Sequence, residues 1–587
     1  MRKLSIQNLK KKMVVTYQGA QAYDWSDDQP LAHLAFTYGS ALFVDGFYET
    51  EPQQIRRFAD ALIEAYKADP KFVWQYGAWM RDPIEGKGNR IQGSLVPALL
   101  DALVDETEHT EEYVMRCLRW RADDVVAFYN HYFNLELGRP SAAARRGVAR
   151  ALAQFDEYQL MKYAAQKEDV RLCDVIAMVR GELEELGDEA RLALDVGAYL
   201  HASSRRRRDL VGALPMTSAR RALFSNEKSW ASDPRFGSAV AEARVTWEQV
   251  LGHFGISDPE KTGAHKEHNH AIWDAMLNVD GLLPDMAFLR NVRNMTEADV
   301  ARERLVKEIR QRDFAKIWPH QVYAGAQAVP TELGLFEEVF KKTVAKLPEG
   351  RHLGIGDASG SMCVKVGGAF STVTCMDVAF CLTGLMSETS GLGASFSDSS
   401  WFGNWGPSNY LAIAERQKNQ GALEFSFDGR IRKGMGGTQV FGAVLELIQH
   451  LKKNDHITPP DCLWFFSDMQ FHPAGGVAGD KDKLPERLLE RARSLGMDRN
   501  APPLELALKL YREEIGPVDV VLWNLAAYQG TPVPADMEGV LLVSGFDANT
   551  LDQVGEWRRG ALEAGQSHVS SAAGENQQVI LGTIRRF

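Results

Sequence analysis

One carboxylate and two hydroxyls stand at alternate positions where a short apolar run ends, in LGIGDASGSM. They are Asp357, Ser359 and Ser361. An apolar run closed by glycine predicts a buried strand that leads into a loop, and oxygen ligands at alternate positions can converge on one hard cation. The alternative interpretation is an ordinary serine-rich loop.

Two further oxygen donors occupy comparable places downstream. Thr438 follows the glycine-rich turn GMGG and precedes a helical pattern, and Asp468 ends the apolar run DCLWFFSD. The carboxyl ends of parallel strands gather ligands at one sheet edge. Oxygen donors on such strand-end loops could therefore converge on one divalent cation, with Mg²⁺ favoured and Mn²⁺ or Ca²⁺ as alternatives. One coordination position would stay open for an external carboxylate or phosphate. These motifs pair no base with a nucleophile, so the site is predicted to bind and not to catalyse.

The surrounding sequence alternates strands and helices. Strands are predicted at His352–Ile355, Ala394–Phe402, Leu423–Phe427, Cys462–Phe466, DVVLWNLAA and GVLLVSG, with helices at Cys375–Met386 and after Thr438. Between Phe471 and Pro517 we expect one or two additional helices. This pattern predicts a doubly wound α/β domain over 346–587. Asp, Ser, Ser, Thr and Asp in this order resemble the metal-ion-dependent adhesion site (MIDAS) of the Rossmann-like von Willebrand factor A domain.

The preceding part, 1–345, has a helical texture from Pro52 onward. Apolar positions recur at helical spacing in segments of ten to twenty residues joined by short turns. Antiparallel helix pairs that each bury a face on the next pair form an α-solenoid, although no strict repeat is visible. We expect the domain boundary near residue 345.

Composition indicates a globular protein with more than one domain. The 587 residues carry a net charge of −11, which argues against a uniformly basic coat but leaves room for a local basic patch. Six cysteines show no CxxC spacing and lie in apolar runs, as in a reducing compartment. The basic N-terminus lacks the apolar core of a signal peptide. The sequence contains no run of eighteen apolar residues, so no membrane span is predicted. We expect a cytoplasmic protein.

Basic residues in the helical part could contact phosphates. The candidates are Arg145, Arg146, Arg150, Lys162, Lys167, Arg171, Arg205, Arg206, Arg207, Arg208, Arg220, Arg221, Arg290 and Arg293. The alternative for each is an ordinary solvated surface charge. The histidines of TGAHKEHNH (His265, His268 and His270) are interpreted as a polar loop, not a metal site.

Three strings resemble the Ro autoantigen, or TROVE-domain, family. They are YGAWMRDPIEGKGNRIQG (Tyr76 to Gly93), MAFLRNVRNMT (Met286 to Thr296) and KIWPHQVYAGAQA (Lys316 to Ala328). Together with DASGSM they occur in the family's order across nearly the whole chain. The chain is thus identified as a bacterial or phage member of that family.

This resemblance implies a HEAT-like helical ring closed by the A domain, in a monomeric ribonucleoprotein component. Such a ring binds small non-coding Y RNA on its outer surface and single-stranded ends of misfolded RNA in its hole. It would act in RNA quality control, maturation or decay, with polynucleotide phosphorylase as a partner. The segment after Lys162-Tyr163 reads AAQKEDVRLCDVI. It departs from the family's tryptophan-serine-histidine pattern, which weakens the expectation of the usual Y RNA mode.

Two functions remain open. The first is a non-catalytic RNA-binding ring. The second is a metal-dependent protein scaffold that captures an acidic partner without RNA. A hydrolytic enzyme is disfavoured because the sequence has neither a Walker loop nor an HExxH motif.

Overall fold

The structure is a computed structural model of the 587-residue chain. It describes residues 13–24, 29–41, 43–45, 48–104, 108–164, 168–225, 240, 243–254, 266–314, 317, 319–328, 333–344, 347–366, 373–397, 400–404, 424–427, 430–433, 438–471, 490–491, 494, 502–528, 530–534, 537–546, 549–563, 569 and 573–587.

The elements in chain order fall into three groups. The N-terminal group is β1 (Met13–Val15), β2 (Gln21–Tyr23), α1 (Pro30–Tyr38) and α2 (Glu51–Ala68). The helical group is α3 (Pro70–Arg81), α4 (Arg90–Leu103), α5 (Thr110–Leu118), α6 (Ala122–Asn134), α7 (Ala142–Ala153), α8 (Glu157–Lys162), α9 (Leu172–Met178), α10 (Arg180–Glu185), α11 (Arg191–His201), α12 (Arg206–Leu210), α13 (Pro215–Ser225), α14 (Trp247–Phe254), α15 (Lys266–Leu277), α16 (Asp285–Glu297) and α17 (Arg302–Gln311).

The C-terminal group begins with two helices and then alternates strands with helices. It comprises α18 (Pro319–Ala328), α19 (Leu333–Val344), β3 (His352–Asp357), α20 (Cys375–Ser390), β4 (Leu392–Phe396), β5 (Ser400–Asn404), β6 (Glu424–Phe427), β7 (Arg430–Lys433), α21 (Val440–Lys453), β8 (Cys462–Ser467), α22 (Pro503–Glu514), β9 (Asp519–Asn524), β10 (Val540–Ser544), α23 (Asn549–Glu563) and α24 (Ala573–Ile584).

The chain forms two compact units. The helical unit comprises Lys71–Phe314 together with the terminal Phe587. The sheet unit comprises Met1–Pro70 and Ala315–Arg586. This grouping differs from the expected division at residue 345, because the N-terminal group and the helices α18 and α19 pack with the sheet. The predicted domains divide the sequence by motif, whereas the packing assigns both ends of the chain to one unit.

The helical unit is built from contacts between helices close in the chain. Helix α4 packs on α5 and α6, α5 packs on α7, α6 packs on α9, and α11 packs on α7, α8 and α9. Such neighbour-to-neighbour packing is the pattern expected of an α-solenoid. Buried aromatic residues, including Trp74 and Trp79 of α3, fill its core.

A buried ion pair joins α3 to α6. Arg81 Nε donates to Asp124 Oδ2 at 2.9 Å, and both side chains are almost completely buried. A β-carbon on Gly93 of α4 would lie 2.4 Å from the Arg81 side chain, so only glycine leaves room for this arginine. The Tyr76–Gly93 string therefore has a structural role in the part of the chain described here.

The sheet unit contains a six-stranded sheet in the order β10-β9-β8-β3-β4-β5. All strands are parallel except β5, which pairs antiparallel with β4. The expected strand at Leu423–Phe427 is present as β6. It pairs with β7 in a separate hairpin and does not extend the parallel sheet. Helix α22 matches the helix expected between Phe471 and Pro517.

Helices cover both faces of this sheet. Leu353 and Ile355 of β3 lie in a hydrophobic cluster with Val440 and Val444 of α21. The alternate residue Gly354 faces α20, where an added β-carbon would lie 2.5 Å from the Thr383 Cα. The absence of a side chain at Gly354 lets α20 pack closely on β3. The helical and α/β architectures predicted from the sequence are both present.

The N-terminal group packs directly on the sheet unit. Tyr23 exchanges backbone hydrogen bonds with Thr531 at 2.9 and 2.8 Å, and the Ser544 hydroxyl donates to the Ala35 carbonyl at 2.9 Å. Phe36 of α1 belongs to the same core cluster as β3 and β8. The described residues among the first seventy thus pack with the sheet unit and do not begin the solenoid.

Two further expectations can be compared with the structure. All six cysteines are free thiols, and all are buried except the half-buried Cys363. Within the described residues, none of the helices combines the length and the apolar character needed to cross a bilayer.

We predict that Asp124→Asn lowers the free energy of unfolding by about 3–5 kcal/mol, because it leaves the Arg81 charge buried without its partner. Urea unfolding followed by circular dichroism measures the change. The matched control is Glu184→Gln, which breaks an exposed pair with Arg180 and should cost less than about 0.5 kcal/mol. Equal losses in the two variants would contradict the assignment.

Candidate functional site

The candidate metal site lies at the carboxyl edge of the sheet, where adjacent strands β3 and β8 end. Asp357 is the last residue of β3, Ser467 is the last residue of β8, and Asp468 follows it directly. The chain leaves β3 toward β4 on one side, while β8 lies on the other side. This reversal of strand order opens a crevice at which α/β sheets bind ligands.

Short hydrogen bonds orient Asp357 and the two serines. Asp357 Oδ1 accepts from the Ser359 backbone N–H at 2.8 Å, and Asp357 Oδ2 accepts from the Ser467 hydroxyl at 2.5 Å. Ser359 Oγ lies 3.1 Å from Ser361 Oγ. Ser467 is not among the predicted ligands. It fixes the Asp357 carboxylate from the neighbouring strand.

Asp468 and Thr438 lie on two other loops, after β8 and before α21. Asp468 Oδ1 accepts from the Gln470 N–H at 3.0 Å, and its side chain contacts Ser361. Met469, between Asp468 and Gln470, adopts a φ of +62°. This conformation is unusual for a residue with a side chain and often marks functional loops. Thr438 is fully buried before α21. The next residue, Gln439, donates its N–H at 2.9 Å to the Ser397 carbonyl just after β4.

The electrostatics of this cluster fit a cation. Burial and the nearby charge of Asp468 raise the pKa of Asp357 to about 7, and burial raises the pKa of Asp468 to about 6. Asp468 Oδ2 is buried and makes no hydrogen bond among the described residues. Two buried carboxylates surrounded by hydroxyls and amides are costly unless a positive charge compensates them. The residues therefore suit a hard divalent cation, while its binding and identity stay predictions.

A residue that the sequence reasoning missed lies beside the site. The Tyr48 hydroxyl is hydrogen-bonded to the Ser361 side chain. Burial and the negative charges of Asp468 and Asp357 raise the pKa of Tyr48. Tyr48 belongs to the N-terminal group, about 310 positions before Ser361, and no spacing pattern in the sequence signals this contact.

The candidate RNA-binding residues divide into three sets. In the first, acidic neighbours bind the guanidinium groups: Arg145 pairs with Glu182, Arg146 and Arg150 share Glu111, Arg171 pairs with Asp174 and Arg293 pairs with Glu297. These acids partly neutralise the positive charge that would attract phosphate.

In the second set, arginines bind backbone carbonyls. Arg220 is buried and donates to the carbonyls of Ala243 and Arg244 at 3.0 and 2.6 Å, while Arg207 donates to those of Tyr199 and Leu200. Their geometry is that of side chains that hold segments together.

The third set is exposed and has no acidic partner among the described residues. It consists of Arg205, Arg206, Arg208, Arg221 and Arg290. Lys162 is half-buried and likewise lacks an acidic partner in that part of the chain. Lys167 lies outside the described residues, as does His265 of the histidine-rich string.

The rings of Tyr158 and Tyr163 both lie close to Lys162, and each also lies close to an arginine. The Lys162 ammonium lies 5.7 Å from the Tyr158 ring centroid and 5.5 Å from that of Tyr163. Arg244 lies 4.9 Å from the Tyr158 ring and pairs with Asp156 at 2.7 Å, and Arg121 lies 4.8 Å from the Tyr163 ring and pairs with Asp123 at 3.0 Å. The sequence reasoning missed Arg121 and Arg244, which reach this cluster from distant segments. We call Arg121, Tyr158, Lys162, Tyr163 and Arg244 the tyrosine–cation cluster.

A separate group of potential metal ligands has a structural explanation. Cys173, Asp174 and His201 offer ligand atoms within 4.8 Å of one another. However, Asp174 binds Arg171, and His201 Nε2 lies 2.9 Å from the Cys173 carbonyl oxygen. Nothing else about these residues indicates a metal.

In structure, the chain is similar to the Ro (RSR) protein of Deinococcus radiodurans. The TM-score is 0.48 and the sequence identity is 16%, with 95% of this chain and 100% of that chain covered. No protein-family model and no curated protein matches the chain. A likeness of this extent assigns no function.

We predict that Mg²⁺ raises the melting temperature more at pH 8 than at pH 5. In the metal-free folded protein the pKa of Asp357 is raised from 3.8 to about 7. The folded state then holds a proton that the unfolded chain releases, so stability falls as pH rises through this window. Mg²⁺ replaces the protons and binds best above the window. Differential scanning fluorimetry with and without Mg²⁺ measures the effect.

Asp468→Asn provides the direct check, because it removes one of the two carboxylates and should abolish the Mg²⁺ effect. The matched control, Asp455→Asn, changes an exposed acid of the same unit and should leave the effect intact. A Mg²⁺ effect that persists in the Asp468 variant would place the ion elsewhere.

Proposed function

We propose that this chain is a non-catalytic RNA-binding protein of the Ro kind, and that its helical unit carries the RNA-binding surface. The observation that supports the proposal most directly is the set of exposed arginines on and beside α12, Arg205, Arg206 and Arg208, which have no acidic partner among the described residues. Arginine and lysine supply sequence-independent attraction to phosphates, and aromatic rings commonly accompany them in proteins that bind single-stranded nucleic acid.

The helices that carry these arginines and the tyrosine–cation cluster share packing neighbours. Helix α8, which carries Tyr158 and Lys162, packs on α11 and α13, and α12 packs on α11. Glu157 of α8 accepts from the backbone N–H groups of Met216 and Thr217, at the first turn of α13. A carboxylate is favourable at a helix N-terminus, so this contact fixes α13 relative to α8.

The exposed arginines of this region are available to a polyanion. Arg205, Arg206 and Arg208 flank or lie on α12, and Arg221 lies on α13. A local patch of this kind can bind RNA although the whole chain carries a net charge of −11. We prefer it to the α7 arginines, whose charges are shared with Glu111 and Glu182.

The proposed RNA ligands are small structured Y-like RNAs and single-stranded RNA ends, in RNA quality control, maturation or decay. A monomeric HEAT-like ring and an exoribonuclease partner such as polynucleotide phosphorylase belong to the same proposal, and both come from the sequence resemblance. The free cysteines suit a reducing compartment such as the cytoplasm.

The second candidate function is metal-dependent capture of an acidic protein. The buried pair Asp357 and Asp468 favours it, because a divalent cation held there would have neutral hydroxyls as its other protein ligands and would bind an external carboxylate as a Lewis acid at an open coordination position. Ser359, Ser361 and Thr438 would supply those hydroxyls, and a bound Mg²⁺ would provide the Lewis-acidic contact. This function could accompany RNA binding or replace it.

We predict that the triple variant Arg205→Ala, Arg206→Ala and Arg208→Ala weakens RNA binding and flattens its salt dependence. Each lost phosphate contact should reduce the slope of log K against log salt by about 0.7, so three contacts give about 2. Fluorescence anisotropy with a structured RNA that carries a single-stranded 3′ end, measured over a salt series, tests this.

The control variant Arg180→Ala with Arg191→Ala removes two exposed arginines that pair with acids on their own helices. It should bind RNA almost as the unchanged protein does. Binding that is indifferent to salt, or equal losses in both variants, would contradict the proposed surface. No RNA binding by the unchanged protein would favour the metal-dependent scaffold.

A further inference from the structure

The metal site is closed to solvent in this structure. Its five predicted ligands are at most 3% exposed: Asp357, Ser359, Ser361, Thr438 and Asp468. An external carboxylate could not reach a cation held there without moving a covering group. Tyr48 is such a group, because its half-buried ring carries a hydroxyl hydrogen-bonded to Ser361.

The N-terminal group is anchored to the loop that carries Asp468. The Thr16 hydroxyl donates to the Phe471 carbonyl at 2.9 Å, and the Tyr17 N–H donates to Gln470 Oε1 at 2.9 Å. The Gln18 side chain then hydrogen-bonds the Tyr48 hydroxyl. Three successive residues thus tie Tyr48 to the edge of the metal site.

An aromatic stack sets the position of the Tyr48 ring. Tyr17 stacks on it with ring centroids 4.6 Å apart, and Tyr528, from the loop after β9, packs edge-on at 5.2 Å. The Tyr17 hydroxyl points to a different partner, Glu49, at 2.9 Å. The ring of Tyr48 is therefore held by packing, while its hydroxyl alone reaches the metal site.

A salt bridge fixes the other side of the same segment. Glu49, next to Tyr48, pairs with Arg57 of α2 at 2.7 Å, and Arg57 also donates to the Ala527 carbonyl in the loop after β9. Tyr48 is thus held by Gln18 and the aromatic stack, and its chain neighbour Glu49 is held by Arg57. None of these contacts to Tyr48 and Glu49 involves a residue of β3 or β8, the strands that lead to the predicted ligands Asp357 and Asp468.

We propose that Tyr48 gates the metal site: its hydroxyl, held against Ser361 by the N-terminal group, competes with external carboxylates for the open side of the bound cation. This inference rests on the metal site proposed above. The N-terminal group would then control ligand binding, because an external carboxylate binds the cation only when it displaces the Tyr48 hydroxyl. The affinity of the cation itself depends on the ligands from the sheet and is independent of the gate.

The test uses Tyr48→Phe, which keeps the ring and its stacking but removes the hydroxyl. Mn²⁺ binding is measured by electron paramagnetic resonance, and ¹³C-acetate relaxation by the bound Mn²⁺ then reports carboxylate access. We expect Mn²⁺ affinity to stay within about twofold of that of the unchanged protein. Acetate should bind about threefold to tenfold more tightly, which is the worth of one neutral hydrogen bond.

The matched control is Tyr17→Phe, which removes a hydroxyl from the same stack on the side of Glu49. It should leave both Mn²⁺ and acetate binding unchanged. Asp468→Asn should abolish both, which locates the acetate at this site. Melting curves of all variants verify that each one is folded.

The outcomes separate the gate from the metal site. Unchanged acetate binding in Tyr48→Phe with normal Mn²⁺ binding overturns the gate but leaves the metal site intact. A large loss of Mn²⁺ affinity in Tyr48→Phe also overturns it, because the hydroxyl would then help to hold the cation. Failure of the unchanged protein to bind Mn²⁺ overturns the metal site and the gate together.

Discussion

The sheet unit depends on the electrostatic cost of placing two carboxylates together out of water. Asp357 and Asp468 stand at the ends of adjacent parallel strands, where burial removes the solvation that would stabilise their charges. The hydroxyls and backbone amides around them lower this cost without cancelling the negative charge. A cation, or protonation of the pair, must complete the balance. Both side chains are fully buried, so water cannot solvate the two carboxylates and the electrostatic cost of their charges is higher.

The sequence predicts the parts of this arrangement that depend on local pattern. Alternating strands and helices, and polar residues at strand ends, indicate candidate ligands, and the resemblance to the metal-ion-dependent adhesion site implies the full set Asp357, Ser359, Ser361, Thr438 and Asp468. The role of Ser467 follows only from the pairing of β8 with β3. Tyr48 could not be predicted, because its contact joins segments about 310 residues apart. Likewise, the expected boundary at residue 345 could not reveal that the N-terminal group packs on the sheet.

In the helical unit, local pattern identifies charges but not their partners. Arg146 and Arg150 look like free basic residues in the sequence, yet both reach Glu111 on another helix. Arg205, Arg206 and Arg208 look no different and remain exposed. The tyrosine–cation cluster draws Arg121 and Arg244 from separate segments. Charge counting therefore overestimates the polyanion-binding surface, and tertiary ion pairs decide which arginines contribute to it.

The packing of the N-terminal group on the sheet has a consequence for synthesis. Tyr23 pairs with Thr531, 508 residues later, so at about 5–20 residues per second its partner emerges roughly 25–100 s after it. A two-stranded ribbon such as β1-β2 is barely stable alone. The helical unit, whose contacts are short in sequence, can fold during that delay. Phe36, whose core partners include residues of β8 and later elements, remains uncovered for much of the same period, so the ribosome-bound chain exposes an apolar side chain that chaperones can bind.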